Sequence, residues 1–287
     1  MRKVFFVVMA FMIASCGIAV TQTLDGNPYD PKTEPDIDMF ISSWNESIPT
    51  LTHGNLVERA IFTRGDNPNP KRKGAVLEHI NRFVQATLPA LSTTAPTLLT
   101  GEQEILFVLS GNGTIRGGGQ THKLSRGIVV LVPAGLSFTI TNTGEQDISM
   151  YLISEPIPAG FRPNEHLLVR NSNTIPFNKD IVHWSHIDTF LLQTSDGLGT
   201  LELVTTCTFS PMTIGHPHSH VDGTEEFWSV IQGDNIVMLG KQIRRQPVGT
   251  SYLIPNDGKT PHSNINVKDD LLKFFYFARY RDHEVRE

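Results

Sequence analysis

Apolar residues along this chain come in short runs broken by glycine and proline. They do not form long stripes at helical spacing. The runs at residues 83–91, 104–109, 127–132 and 138–141 are rich in β-branched and aromatic side chains, as strands are. Gly111-Asn112-Gly113, Gly117-Gly118-Gly119 and Pro133-Ala134-Gly135 separate them as turns. Short strands with a turn about every ten residues predict an all-β sandwich or barrel.

The pattern occurs twice. Adding 122 to Glu104, Gly111, Gly127 and Pro133 gives Glu226, Gly233, Gly249 and Pro255. After a two-residue insertion, Asn142 meets Asn266. Two tandem copies of one unit are therefore expected, at 75–158 and 189–287, joined by a proline-rich link at 159–188. Residues 21–74 read as tether and lead-in, with the pieces at 39–44 and 56–62 left open between helix and strand. The copies differ in one respect: the second has His218, His220 and His262 where the first has Pro96, Leu98 and Phe138.

The length of 287 residues fits two domains. A formal charge of −5 and the lack of a basic run exclude a nucleic-acid-binding face. Arg2-Lys3 followed by an apolar stretch at 4–14 reads as an export signal, so residues 1–20 are set apart from the fold. The stretch is too short for a membrane-spanning helix. Ile13-Ala14-Ser15-Cys16 resembles the lipobox of bacterial lipoproteins, which would lipidate Cys16 and attach the chain to a membrane. The alternative is an ordinary signal cleaved near 19–23. Either way the expectation is an exported protein. The only other cysteine, Cys207, then has no disulfide partner and is expected as a small buried hydrophobe.

The second copy resembles the two motifs of the cupin superfamily. His218-Ser219-His220, Glu226 and Gly233 match the first; Gly249, Pro255, Gly258, His262 and Asn266 match the second. With its degenerate first copy, the chain resembles a bicupin. That resemblance implies two jelly-roll barrels and one metal held by His218, His220, Glu226 and His262. The gap from His220 to Glu226 is one residue longer than usual, so Glu225 is an alternative ligand, though the distance to Gly233 and the repeat partner Glu104 favour Glu226.

Histidines two apart on a strand point to one face. Three imidazoles and a carboxylate form a mixed nitrogen and oxygen shell suited to one divalent transition metal such as Mn, Fe, Ni or Zn. Ligands from one wall leave a coordination position open. His216 is expected on the rim, and Trp228 either in the pocket or in the core. His183 and His186, just ahead of the second barrel, could fold over its mouth as general acid or base, or be structural residues of the link. The first barrel is expected to be structural, supporting a homodimer or shaping its neighbour's mouth. The family resemblance implies an enzyme acting on a small oxygen-rich molecule, an organic acid or carbohydrate derivative. The alternative is a binding protein that turns nothing over. A titratable group in the pocket beyond the ligands favours the enzyme; a dry apolar pocket favours the binder.

Overall fold

The central strands are buried on both faces along most of their length, and their middles are apolar. Glu225–Gln232 reads EEFWSVIQ and Leu272–Arg279 reads LKFFYFAR. Alternate side chains on such strands enter different cores. Trp228, Val230, Phe274 and Tyr276 fill the inside of the second barrel. Phe227, Phe275 and Phe277 point the other way and meet Phe62, Phe83 and Phe107 of the first barrel. A third cluster, with Leu106, Val108 and Phe138, fills the first barrel.

The computed structural model describes residues 29–67, 69–178 and 185–280. Residues 1–20 with Cys16, and His183, lie outside that range. Among the described residues there are only strands and three short 3-10 turns. No helix among them is long and apolar enough to cross a membrane. An eight-stranded sheet and a four-stranded sheet enclose the first barrel; a six-stranded and a four-stranded sheet enclose the second. The two larger sheets pack back to back through the aromatic core just described.

The repeat glycines stand where the backbone turns left-handed. Gly111 and Gly233 have φ of 86° and 87°, and Gly127 and Gly249 have 86° and 85°. A side chain would be strained at each, and a Cβ on Gly111 would sit 2.5 Å from the Asp147 carbonyl oxygen.

The lead-in is partly barrel. Leu56–Arg64, where the sequence left helix and strand open, is a nine-residue strand paired with Arg82–Leu88. Ile41–Ser43 crosses to the second barrel and pairs with Thr250–Leu253. Leu168–Asn171, from the expected link, pairs with Ile128–Val132 of the first barrel. Each barrel also holds a loop of the other. Glu155 accepts hydrogen bonds from the amides of Gly199, Thr200 and Leu201 at 3.0, 3.0 and 2.8 Å. Glu225 accepts from the amides of Glu78 and His79 at 2.5 and 3.1 Å.

Candidate metal centre

His262 opens the strand His262–Asn266, and a single β-bridge joins it to His218. The two exchange backbone hydrogen bonds of 3.3 and 2.9 Å. His218 and His220 are thus held by a bridge and a loop, where a regular strand was expected. The three rings nevertheless converge. Their centroids lie 4.3 Å (His218 and His262), 4.8 Å (His218 and His220) and 5.2 Å (His220 and His262) apart. One nitrogen from each lies within 4.8 Å of the others.

Glu226 lies under them. Its Oε2 is 2.8 Å from His220 Nε2, and its Oε1 is 3.2 Å from His262 Nε2. Strand parity explains which of the adjacent glutamates does this. Glu226 shares a face with Trp228 and Val230, inside the barrel. Glu225 shares a face with Phe227, between the barrels, and grips the Glu78–His79 amides there. The structure therefore places Glu226, and not the alternative Glu225, beside the histidines. Burial raises the Glu225 carboxyl to about 7, against the pull of those amides.

Trp228 is the contact that sequence reasoning left undecided. Its Nε1 donates to Glu226 Oε1 at 2.7 Å and fixes the carboxylate. Burial resists ionisation of Glu226, but the His220 and His262 imidazoles beside it outweigh that and hold the carboxyl well below its usual range. His218 is pushed down to about 4, by burial and then by the neighbouring His262, so it is neutral at physiological pH. Its Nδ1 lies 2.8 Å from the His216 carbonyl oxygen. The tautomer inferred from that contact donates from Nδ1 and carries its lone pair on Nε2, the atom a metal would take. His216 itself is an exposed rim residue whose carbonyl does the positioning.

The residues fit a metal ion. His220 Nε2 is buried and makes no hydrogen bond despite its closeness to Glu226. Donors sharing one ion at about 2.1 Å and at right angles sit about 3 Å apart, and the two carboxylate contacts of 2.8 and 3.2 Å bracket that value. The cavity beside the ligands holds about 10 Å³, roughly one water.

His186 lines the same cavity as His218, His262 and Trp228. Its ring stacks on Phe209 at 4.9 Å and meets Trp228 edge-on at 5.8 Å. Its Nε2 is 3.4 Å from Asp188 Oδ1. Burial lowers its affinity for a proton, against the pull of Asp188. Asp188 had no signal in the sequence.

The model of the cupin domain matches residues 88–154, within the first barrel. No curated protein matches the chain. Among solved structures, the protein YlbA from E. coli is 18% identical, with a TM-score of 0.63 over 88% of this chain and 96% of that one. A putative glyoxylate-induced protein from Pseudomonas aeruginosa is 16% identical, with a TM-score of 0.66 over 84% and 87%. The oxalate decarboxylase of Lactobacillus farciminis, solved as a formate complex, is 12% identical, with a TM-score of 0.62 over 84% and 86%. These likenesses establish the fold. The chain has the bicupin fold.

Among the described residues the first barrel has no imidazole cluster, and its carboxylate is already paired with a cation. Glu104 is fully buried; Arg82 Nη2 lies 2.7 Å from its Oε1, and His53 Nε2 lies 3.3 Å from its Oε2. Arg82 Nε also reaches Glu58 at 3.2 Å. Glu58 accepts a hydrogen bond from the Thr52 hydroxyl at 2.7 Å.

Proposed function

We propose that this bicupin is a metal-dependent enzyme whose second barrel acts on a small oxygen-rich molecule, an organic acid or a carbohydrate derivative. One observation carries the proposal. Beside a converged shell of three histidines and a glutamate, the same cavity is lined by His186, a titratable group outside that shell. A passive binder has no need of such a group. The small cavity favours a small substrate. The likeness to an oxalate decarboxylase favours an organic acid over a sugar.

The chain's own residues prepare the site. His218 offers a neutral nitrogen, Trp228 holds the Glu226 carboxylate, and the rings of Phe209 and Trp228 keep the wall dry. When bound, a divalent transition metal supplies a Lewis acid for a substrate oxygen. The starting residues support work outside the cytoplasm, with Cys16 as the proposed anchor.

The test is a turnover screen of small dicarboxylates and sugar acids, with and without chelator. Activity should vanish on chelation and in His218→Ala. Full activity in the metal-free protein overturns the metalloenzyme proposal; tight binding without turnover across the panel points to a binding protein. Membrane partition abolished by Cys16→Ser supports anchoring, whereas a cytoplasmic chain with Met1 intact overturns export.

A further inference from the structure

We propose that a second divalent cation, of the zinc or cobalt type, binds between His186, Asp188 and Cys207 inside the second barrel. This goes beyond the function proposed above: His186 keeps its titratable ring while the second ion is absent and becomes a ligand when the ion is bound.

The local geometry comes from register. His186 and Asp188 are two apart on the strand His186–Gln193, so they face the same side. Asp188 stands directly opposite Cys207 on the neighbouring antiparallel strand. A ring nitrogen, a carboxylate oxygen and the thiol sulfur thereby lie within 4.8 Å of one another. All three side chains are largely or wholly buried. Asp188 Oδ1 is buried and accepts no hydrogen bond among the described residues. Its neighbours are the His186 ring nitrogen, 3.4 Å away, and the Cys207 thiol, and a cation shared with both would satisfy the buried oxygen better than either does.

The first barrel shows what such a carboxylate takes. Glu58 pairs with Ala86, and Ala86 with Met150. In the second barrel Asp188 pairs with Cys207, and Cys207 with Phe274. Asp188 is therefore the repeat equivalent of Glu58, just as Glu226 is of Glu104. In the first barrel the Arg82 guanidinium spans that pair, at 3.2 Å from Glu58 and 2.7 Å from Glu104. Arg82 pairs with Ser154, and at the matching place Leu203 pairs with Ala278. The second barrel has kept both carboxylates and lacks the guanidinium. The histidine shell supplies a cation for Glu226. Asp188 is left with its own imidazole and thiol neighbours.

Sulfur, nitrogen and oxygen donors together suit borderline ions such as Zn²⁺ and Co²⁺ and disfavour Mg²⁺ and Ca²⁺. Ligation by Cys207 forms the sulfur–metal bond as the thiol proton passes to water.

The test uses the full mature chain loaded with excess Zn²⁺ or Co²⁺, with metal counted per chain and the cobalt spectrum recorded. Wild type should hold two ions and show a thiolate-to-cobalt charge-transfer band. Cys207→Ser and Asp188→Asn should each lower the count to one, and Cys207→Ser should erase the band. His262→Ala should also lower the count to one but keep the band, which separates failure of this site from failure of the histidine site. Circular dichroism checks that each variant is folded. One ion per wild-type chain without the band, or two ions unchanged in both Cys207→Ser and Asp188→Asn, overturns the proposal.

Discussion

Glu104 and Glu226 occupy the same place in two copies of one barrel, and their surroundings differ. Glu104 is buried against Arg82 and His53, so the chain neutralises it from within. Glu226 is buried against three histidines, one of them held neutral. The scaffold thus keeps an inward carboxylate in both copies, and neighbouring residues decide whether it is tied into the fold or is placed where it could hold an ion. A family's glycine and proline frame therefore marks the barrel without marking the site, and the cupin-domain match falls on the copy that lacks the histidine shell.

The largest effect should come from removing the internal cation. Arg82→Ala leaves Glu58 and Glu104 without their guanidinium. A broken buried pair costs about 3–5 kcal/mol, and because the arginine is one-quarter exposed the lower end, about 3 kcal/mol, is expected in urea unfolding. An unchanged midpoint would mean the first barrel does not depend on its internal cation, and the contrast between the copies would collapse. Next, His262→Ala should weaken metal binding by at least about 100-fold with a smaller loss of stability than Arg82→Ala, read by calorimetric metal titration and urea melts. Metal affinity equal to wild type would dissolve the other half of the contrast. Trp228→Phe sharpens it by removing only the donor that fixes Glu226. Affinity should fall about 10- to 100-fold, and no change would show that the carboxylate is positioned by the histidines alone.

The smallest effect is a dependence on pH in the first barrel. Burial opposes charge on His53, but Glu104 and Glu58 outweigh it and raise the imidazole above its usual 6.5. A group raised on folding stabilises below its unfolded value and loses that contribution as pH rises through the folded one. Wild type should therefore lose slightly more stability than His53→Asn between pH 6 and pH 8. Parallel urea melts at the two pH values check this, and identical slopes would remove His53 from the network.

The barrels were legible in the sequence because their turns demand residues that cannot be exchanged. Gly111, Gly127, Gly233 and Gly249 all have positive φ, so one offset runs through both copies. The preference for Glu226 over Glu225 came from spacing to one of those glycines, and strand parity is its physical cause. The first barrel's charge network was not legible. Arg82 reaches Glu58 and Glu104 across 24 and 22 residues, and neither separation is a motif. Asp188 and Cys207 meet only through strand register, which a short polar–apolar run does not specify. The strand Leu56–Arg64 was ambiguous because its burial does not strictly alternate.

The crossing of Ile41–Ser43 into the far barrel has a consequence for how this protein is inherited. The chain begins its folded part in the second barrel, builds the first, and then returns. Glu155 and Glu225 tie each barrel to a loop of the other. A cut between the repeats would leave the second barrel without Ile41–Ser43 and each fragment without a carboxylate grip and one wall of the aromatic core. Neither copy can then be lost, shuffled or borrowed alone. The barrel without a histidine shell is thus part of what holds the other one together.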